Sequence, residues 1–506
     1  MNLESLLEKK TGFTTFKTGQ KEIMEDVIAK KDVIALLPTG GGKSICYQIP
    51  GYVMEGTVLI VSPLLSLMED QVQQFKANGE KSVVAINSFL SFSERERLLQ
   101  LDLSTYKYIF LSPEMLQVEK WVRKLQNIKV ALFVIDEAHC VSQWGHDFRT
   151  DYLKLGAVKD SLGHPPCLAL TATATTTVIN DIQEYLNIQS PAFHVFSLDR
   201  PNIAMKVEMF RSNREKNERL LELVNSLRSP GIVFFSSRSK VEEISEYLQE
   251  NGVERVAYYH AGLSQEQRIL IQQQYIHDQL DVICCTSAFG MGINKSNINY
   301  CIHYHQPTQL ESYVQEIGRA GRGGDASIAI LLKSKEDNTL PGFILDMELP
   351  DFEWVSTVTN DILETYGTIQ HISIIPVKEW MEKFPEQESH WRFLVFHLEK
   401  YIESNGSLDQ NKKSNFLRMI DEQIKNRTAY KMGKLAYMND WTEVVTCRRE
   451  MMLAYFGETL QRAPSNCCDV CGLDLNEFTH YTHADEKKGE TETWGKLLKN
   501  IFWQEE

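Results

Sequence analysis

Short apolar runs alternate with polar or glycine-containing turns and helical stretches throughout the first 340 residues. Each run is four or five residues long and rich in Val, Ile and Phe, which is typical of a strand covered by helices on both faces. Strands that alternate with helices form parallel α/β sheets. There are too many runs for one compact sheet, so the pattern predicts two α/β domains, 1–195 and 196–340, joined near Leu198–Met205. The runs are Val33–Leu37, Val58–Val61, Tyr108–Leu111, Ala131–Ile135, Cys167–Leu170, Ile232–Phe235, Val282–Cys285 and Tyr300–His303.

The composition limits the class of protein. Hydrophobic residues make up 43% of the chain and charged residues 24%, which excludes a disordered or collagen-like protein over most of the length. The formal net charge of −15 argues against a nucleic-acid coat protein but permits a local basic groove. The N-terminus does not read as a signal peptide, and no apolar stretch approaches the roughly 18 residues of a membrane span. We therefore expect a cytoplasmic protein with no membrane partner, nucleoid-associated if bacterial.

A glycine-rich turn after the first apolar run indicates a phosphate-binding loop. Leu36–Ser44 reads LLPTGGGKS and leads into a predicted helix. Glycine N–H groups and the positive end of the helix dipole attract phosphate. We expect Lys43 to reach the β- and γ-phosphates and Ser44 to hold Mg²⁺, although Leu37 replaces the glycine that opens the usual pattern. The alternative is a turn with no phosphate role.

Two carboxylates follow another apolar run. Ala131–His139 reads ALFVIDEAH, which places Asp136 and Glu137 at the C-terminal end of a predicted strand, where parallel sheets bind ligands. We expect Asp136 to bind Mg²⁺ and Glu137 to polarise an attacking water, since phosphoryl transfer depends on positioning and electrostatics. In isolation such a pair is equally compatible with a solvated strand cap.

Two arginines in the second predicted domain suit the same chemistry. Gln315–Arg322 reads QEIGRAGR, and Arg319 and Arg322 share one face if the segment is helical. Arginine neutralises the charge that develops on a transferred γ-phosphoryl group. Closure of a cleft between the two domains would then complete the site. The alternative is a surface helix with two solvated arginines.

Aromatic residues follow the carboxylate pair in a loop that is poorly suited to a core. Ala138–Arg149 reads AHCVSQWGHDFR. Trp144 and Phe148 could stack on bases of single-stranded nucleic acid while Arg149 contacts phosphate. The alternative is that both aromatic rings pack between the domains.

Four of the ten cysteines cluster near the C-terminus. Cys447, Cys467, Cys468 and Cys471 have the number and spacing of a tetrahedral Zn²⁺ site, which would stabilise a small satellite subdomain, 431–475. An iron–sulfur cluster and incidental free thiols are the alternatives.

Taken in order, these motifs resemble superfamily 2 helicases, and the aromatic loop resembles most specifically the RecQ family of DNA helicases. The resemblance covers residues 12 to about 335 and 447–471, where CRR, YFGE and C-C-x-x-C are similar to the RecQ zinc module. It implies an α/β fold of two tandem RecA-like parallel-sheet domains, followed by a mainly helical region with a zinc-binding subdomain.

The same resemblance implies an ATP-, Mg²⁺- and Zn²⁺-dependent DNA helicase. Such an enzyme moves 3′→5′ on single-stranded DNA and unwinds forked or partial duplexes in recombination or repair. The alternatives are a DNA-stimulated translocase with weak unwinding, an RNA-dependent ATPase, and a non-enzymatic DNA-binding factor.

Roles for individual residues also follow from the resemblance. Gly12–Gln20 is similar to the family's adenine-binding motif, with Gln20 at the adenine edge and Lys17 where arginine is more usual. The implied nucleotide-binding residues are Phe13, Lys17, Gln20, Thr39, Gly40, Gly41, Gly42, Lys43 and Ser44, and the implied catalytic residues are Lys43, Asp136, Glu137, Gln315, Arg319 and Arg322. The implied DNA-binding residues are Ser62, Trp144, Phe148, Arg149 and His260, with His139 and Thr171 coupling hydrolysis to DNA binding.

The chain after residue 340 departs from the family pattern. Periodicity predicts a helical region over 341–430, with a β-like stretch at Ile372–Val377 and a long helix from Gln387 to Glu403. This order is compatible with a DNA-binding winged-helix or helix-turn-helix unit, or with a plain helical spacer, and the acidic residues at its start disfavour phosphate contact.

Only about 35 residues follow Cys471, too few for the winged-helix and HRDC domains of longer RecQ proteins. The polar tail, 476–506, includes an amphipathic helical stripe at Trp494–Trp503. That stripe could dock on this chain or bind a protein partner.

Overall fold

A seven-stranded parallel sheet forms the core of the N-terminal domain. In the computed structural model, which describes residues 2–63, 65–87, 90–142, 149–289 and 295–480, the spatial order of its strands is β3-β4-β2-β5-β6-β1-β7. These strands are β1 (Val33–Leu36), β2 (Thr57–Val61), β3 (Val83–Ile86), β4 (Tyr108–Leu111), β5 (Val130–Ile135), β6 (Cys167–Thr171) and β7 (Ala192–Val195).

Helices cover both faces of this sheet. They are α1 (Leu3–Thr11), α2 (Gln20–Ile28), α3 (Ile45–Val53), α4 (Leu65–Ala77), α5 (Phe92–Gln100), α6 (Glu119–Gln126), α7 (Leu155–Ser161) and α8 (Thr176–Tyr185). Alternate residues of β1 pack into different cores, with Ile34 and Leu36 on one face and Val33 and Ala35 on the other. The continuous apolar runs of the sequence are therefore explained by burial on both faces.

A second, six-stranded parallel sheet follows, in the order β10-β11-β9-β12-β13-β8. Its strands are β8 (Ile203–Phe210), β9 (Gly231–Phe234), β10 (Val256–Tyr259), β11 (Val282–Cys285), β12 (Tyr300–His303) and β13 (Ser327–Ser334), and its helices are α9 (Asn213–Ser226), α10 (Arg238–Glu250), α11 (Gln265–Ile276) and α12 (Leu310–Ile317). The two sheets confirm the predicted α/β fold of tandem parallel-sheet domains. The predicted runs account for eight of the strands but omit β3, β7, β8, β10 and β13.

Helices dominate the rest of the described chain, as predicted. They are α13 (Leu340–Asp346), α14 (Phe352–Tyr366), α15 (Val377–Lys383), α16 (Glu388–Asn405), α17 (Lys413–Glu443) and α18 (Arg448–Tyr455). The prediction of a β-like stretch at Ile372–Val377 is wrong: Ile372–Ile374 forms a single 3₁₀ turn, and α15 begins at Val377. Ile375 of this stretch packs into the core formed by these helices, whereas Ile374 is exposed.

Residues 349–420, which we call the accessory unit, have a hydrophobic core of their own. Trp391, Leu394 and Leu398 on α16 pack against Val358 and Ile362 on α14. Two main-chain hydrogen bonds of 2.8 Å between Ile369 and Leu408 close the unit. A separate core distinguishes this unit from a plain helical spacer.

The accessory unit also contacts the N-terminal domain. Lys154 Nζ lies 2.6 Å from Glu399 Oε2 of α16. Lys154 belongs to a 3₁₀ turn, Thr150–Lys154, that follows the aromatic loop in the chain. Trp144 and Phe148 of that loop lie outside the described residues, as does the predicted Trp494–Trp503 helix. Within the described part of the chain, no helix has the length and hydropathy that a membrane span requires.

A core substitution on α16 should unfold the accessory unit without unfolding the sheet domains. Leu394 is fully buried, so Leu394→Ala should destabilise the unit by about 2–5 kcal/mol. We expect urea unfolding monitored by hydrogen exchange to show earlier exposure of 349–420 and an unchanged midpoint for the two sheets. Arg392→Ala, on the exposed side of the same helix, is the matched control. A single transition shifted for the whole chain would contradict an independent core.

Candidate nucleotide and zinc sites

The predicted phosphate loop, Thr39–Ser44, connects β1 to α3 at the carboxyl edge of the first sheet. Gly40 and Gly42 have φ of +83° and +75°, a left-handed conformation that favours glycine. A Cβ on Gly42 would lie 2.5 Å from Gln20 Nε2. Ser44 precedes α3 and its side chain makes no capping hydrogen bond. The local chain therefore forms a tight glycine turn ahead of a helix N-terminus, as the sequence predicts.

Lys43 faces both predicted carboxylates across the edge of the sheet. Its Nζ lies 2.8 Å from Glu137 Oε1 and 3.9 Å from Asp136 Oδ1. Burial alone would lower the pKa of Lys43, but the charges of Glu137 and Asp136 outweigh it and the pKa is raised. Burial raises the pKa of Asp136 to about 6, against the opposing effect of Lys43. β5 ends directly before this pair, which explains why both side chains reach the edge.

The oxygens at this edge form a donor set that suits Mg²⁺. Glu137 Oε2 is buried and has no hydrogen-bond partner among the described residues. Glu137 itself has a φ of +48°, a strained conformation for a residue with a side chain. Carboxylate and hydroxyl oxygens are the ligands that Mg²⁺ prefers. Asp136 and Ser44 therefore fit the predicted metal, which would neutralise phosphate charge when bound.

The predicted arginines reach the same cleft from the second domain, but on a turn rather than on a helix. α12 ends at Ile317, and Gly318–Arg322, here called the arginine turn, follows it with a φ of +58° at Gly321. The shared face was conditional on a helical segment, and that condition is not met, because both arginines lie beyond the end of the helix. The two domains approach so closely here that a Cβ on Gly318 would lie 2.7 Å from Thr39 Cβ.

Residues of both domains line one cleft of about 790 Å³. The N-terminal domain contributes the phosphate loop, Asp136 and Glu137, and the second domain contributes Gln315, Arg319 and Arg322. The structure thus brings together all six predicted catalytic residues.

Positive charge accumulates where the two domains meet. The pKa of Arg322 is lowered to about 10, first by burial and then by Arg319 and Arg200. Burial, followed by Arg200 and Arg322, also lowers the pKa of Lys17. Cations that repel one another across a partly enclosed cleft make a strong site for an anion such as a phosphate chain.

The predicted adenine-binding residues lie beside the phosphate loop, in contacts that the sequence did not predict. Gln20 Nε2 donates to the carbonyls of Gly41 (3.0 Å) and Gly42 (3.1 Å), while its Oε1 accepts from the Lys17 amide. Lys17 Nζ donates to the Gly40 carbonyl at 2.8 Å. Phe13 lines the cleft and is 61% exposed. Gln20 and Lys17 therefore support the phosphate loop directly.

The predicted coupling residues are in contact. His139 Nδ1 lies 2.9 Å from Thr171 Oγ1, at the ends of neighbouring strands β5 and β6. Thr171 Oγ1 in turn donates to the Thr173 carbonyl at 3.1 Å. Because the Thr171 hydroxyl proton is used in that bond, Thr171 Oγ1 accepts a hydrogen bond from His139. The tautomer of His139 that carries its proton on Nδ1 fits this arrangement.

The predicted DNA-binding residues fall into two groups. Arg149 donates to the carbonyl of Pro63 at 2.8 Å, which places it beside Ser62 on the first domain. His260, on the second domain, is buried, and both of its ring nitrogens are used: Nε2 lies 2.7 Å from Glu242 Oε1, and Nδ1 accepts from the Gly262 amide. His260 therefore shapes the loop that carries it.

Arg200 is the site residue that the sequence analysis did not predict. It lies in the connection between the two sheets, and its guanidinium donates to main-chain carbonyls of both the phosphate loop and the arginine turn. The sequence did carry one signal at this position: Pro201 restricts the backbone of Arg200, the residue before it, to extended conformations.

The four predicted zinc ligands converge at the edge of the second sheet. The Sγ atoms of Cys447, Cys467, Cys468 and Cys471 all lie within 4.8 Å of one another, and those of Cys447 and Cys467 are 3.6 Å apart. Tetrahedral zinc with Zn–S bonds of about 2.3 Å requires sulfur atoms about 3.8 Å apart. The main chain of Cys467–Asp469 pairs with Met205 of β8, the edge strand. The cluster therefore fits zinc and is joined directly to the second sheet.

Family models match three parts of the chain. Residues 17–182 match the DEAD/DEAH box helicase family, 215–324 the helicase conserved C-terminal domain and 409–472 the RecQ zinc-binding domain. The last match supports zinc as the metal of the cysteine cluster.

Known proteins share both the sequence and the fold. The chain is 42% identical to the probable ATP-dependent DNA helicase RecS of Bacillus subtilis, over 99% of this chain and 98% of that one. It is 36% identical to the ATP-dependent DNA helicase RecQ of Pasteurella multocida, over 91% of this chain and 60% of that one. In fold it is similar to the DEAD-box helicase Mss116 bound to ssRNA and UDP-BeF, with a TM-score of 0.56, 16% identity and coverage of 80% and 92% of the two chains.

Motifs, geometry and relatives agree on the resemblance that the sequence suggested. Both sheet domains, the nucleotide cleft between them and the cysteine cluster occur here as that family requires. The chain belongs to the RecQ family of ATP-dependent DNA helicases.

Proposed function

We propose that this helicase moves 3′→5′ along single-stranded DNA, separates forked or partial duplexes as it moves, and acts in recombination or repair. The observation that carries the proposal is the composite cleft, where Lys43, Asp136 and Glu137 of one domain face Arg319 and Arg322 of the other. Hydrolysis that needs both domains changes their separation at each turnover, which is what directional movement requires. The direction itself is supported by the family resemblance.

We further propose a division of labour within the cleft. Lys43 binds the β- and γ-phosphates, Ser44 and Asp136 hold Mg²⁺, and Glu137 accepts a hydrogen bond from the attacking water. Lys43 must then exchange Glu137 for phosphate oxygens, and this exchange frees the carboxylate to orient the water. Gln315, Arg319 and Arg322 stabilise the charge that develops on the γ-phosphoryl group.

DNA contact is proposed for Ser62 and Arg149, with Trp144 and Phe148 stacking on bases. His139 and Thr171 would couple DNA binding at this surface to Glu137, since His139 Nδ1 also lies 3.4 Å from Glu137 Oε2. Arg149 and His139 stand at opposite ends of the same aromatic loop, so movement of that loop on DNA binding would reach the cleft directly.

Replacement of Lys43 should abolish hydrolysis. Lys43→Ala removes the only lysine or arginine charge within 4 Å of Asp136 and Glu137 among the described residues, and we expect ATP turnover to fall by about 10²-fold or more. DNA binding, measured by fluorescence anisotropy, should be unchanged. Lys31→Ala, a surface lysine of the same domain paired with Asp26, is the control. Wild-type turnover in Lys43→Ala would refute the assignment of the nucleotide site.

The class of nucleic acid can be tested in the same assay. Single-stranded DNA should stimulate hydrolysis strongly and single-stranded RNA weakly or not at all. Equal stimulation by both polymers would favour an RNA-dependent ATPase instead.

Direction is tested with partial duplexes that carry one single-stranded tail. An enzyme that moves 3′→5′ loads on a 3′ tail and reaches the duplex, so we expect strand separation with a 3′ tail and not with a 5′ tail. Rates are compared at equal tail length, with Lys43→Ala as the inactive control. Preferential unwinding of the 5′-tailed substrate would contradict the proposed direction.

Zinc is proposed to have a structural role, since its four ligands fill a tetrahedral shell. Metal analysis should find one zinc and no iron per chain, and Cys468→Ser should lower the zinc content and the melting temperature together. Cys301→Ala, which changes a buried cysteine outside the cluster, should retain its zinc. Full zinc occupancy in Cys468→Ser would exclude Cys468 as a ligand.

A further inference from the structure

Arg200 joins the two halves of the nucleotide cleft through main-chain atoms alone. Its Nη1 donates to the carbonyls of Thr39 (2.9 Å) and Gly318 (3.2 Å), and its Nη2 to those of Ala320 (3.1 Å) and Gly321 (2.6 Å). Thr39 belongs to the phosphate loop, whereas the other three belong to the arginine turn. The two terminal nitrogens carry four N–H bonds in total, and each has an acceptor.

These contacts bear on the orientation of the catalytic arginines. Gly318, Ala320 and Gly321 flank Arg319 and immediately precede Arg322, and Gly321 has a positive φ. The amides of the turn bond back to carbonyls of α12 and of Ile298, and Asn202 also donates to the Gly321 carbonyl at 2.9 Å. Arg200 adds the bonds from the carbonyl side of the turn that also reach the other domain, and its bond to Thr39 sets the distance of the turn from the phosphate loop.

The zinc-binding region holds Arg200 in turn. Arg449, which is fully buried, donates to Asp199 Oδ1 (2.5 Å) and to the carbonyl of Arg200 itself (3.0 Å) through Nη1. Its Nη2 donates to the carbonyls of Ile203 (2.5 Å) and of Cys467 (3.5 Å), one of the zinc ligands. A single guanidinium therefore connects the cysteine cluster to both sides of Arg200.

A carboxylate from the same region secures the preceding residues of the connection. Glu458 accepts hydrogen bonds from Ser197 Oγ (2.5 Å) and from the Leu198 amide (2.9 Å). The space enclosed where Thr39, Arg200 and Arg449 meet is only about 20 Å³, so little movement is possible without breaking these bonds.

We propose that Arg200 is a positioning residue for ATP hydrolysis, and that the zinc-binding region keeps it in place through Arg449 and Glu458. Arg200 orients Arg319 and Arg322 against the phosphate loop without touching the nucleotide. Zinc, by fixing Cys467, stabilises the connection that carries Arg200 and so contributes to the geometry of a cleft in the motor domains. This inference rests on the proposed roles of Arg319 and Arg322.

The first test replaces Arg200. Arg200→Gln leaves the lining of the cleft polar but cannot make four bonds, and we expect kcat for ATP to fall by about 10- to 100-fold while KM changes far less. Hydrogen exchange of the arginine turn should increase. Arg200→Lys, which retains the charge and part of the hydrogen bonding, should recover part of the lost kcat.

The control is Arg255→Gln, which removes an arginine that also donates to main-chain carbonyls of the second domain, at Asp278 and Gln279. Its kcat should equal that of the wild type. The proposal would be overturned if kcat and hydrogen exchange were unchanged in Arg200→Gln. It would also be overturned if Arg255→Gln lost as much kcat as Arg200→Gln.

The second test breaks the link to the zinc-binding region. Arg449→Lys and Asp199→Asn should each lower kcat and increase exchange of the arginine turn, with the zinc content unchanged. Asp199→Asn keeps the shape of the side chain, so it still tests the link if the variant at the buried Arg449 fails to fold. Either change combined with Arg200→Gln should cause little further loss, because both act on one contact. Fully additive losses would overturn the link.

Arg319→Ala and Arg322→Ala separate this inference from the proposed function. If these variants keep the wild-type kcat, the proposed catalytic roles fail. If they lose activity while Arg200→Gln does not, only the positioning role of Arg200 fails.

Discussion

The gathering of cationic side chains between the two domains is the constraint on which the arrangement of the cleft depends. Lys17, Arg200, Arg319 and Arg322 meet around the phosphate loop, where Arg319 is buried, Arg200 and Arg322 are half-buried and Lys17 is exposed. Burial lowers the pKa of the three arginines, and the charges of Arg319 and Arg200 lower that of Arg322 further. Such a group is costly to assemble from protein alone, because like charges repel strongly where water is excluded. Main-chain carbonyls, to which Arg200 and Lys17 donate, offset part of that cost. A phosphate chain offsets the rest, so nucleotide binding and domain closure stabilise each other.

The distribution of charge bears on how an acidic chain can act on DNA. The accessory unit, residues 349–420, has eleven acidic and seven basic side chains, a net charge of −4 out of −15 for the whole chain. The unit is therefore acidic and reaches the first domain through the Lys154–Glu399 ion pair, but most of the net charge lies elsewhere. An acidic surface repels phosphates, so the net charge of this unit disfavours it as the main binding surface for DNA.

The sequence predicted the parts of the fold whose physics is local. Eight apolar runs covered on both faces were recognised as strands, although the fully buried β13 was missed. Lys43, Asp136 and Glu137 were found because glycine turns and strand ends carry clear signals. β7 was not predicted because it is half-exposed and lacks a continuous apolar run. The zinc ligands were found by spacing, but the pairing of Cys467–Asp469 with β8 was not. Arg200 illustrates the same limit, because its two terminal nitrogens bind only carbonyls from distant segments, and the side chains of those segments do not indicate the contact.

The attachment of the cysteine cluster to β8 changes what a zinc site means in this protein. β8 is an edge strand, and unpaired edges are prone to pair with other chains unless they are covered. Met205 binds the main chain of Cys467 and Asp469, Val207 donates to the Asp469 carboxylate at 3.2 Å, and Arg448 holds that carboxylate from the other side. The segment that carries the cluster thus covers the sheet edge through Cys467–Asp469 and contacts the connection between the domains through Arg449. A satellite folded only for its own stability would require neither contact, so we expect zinc binding to stabilise the motor domains as well as the module that holds the metal.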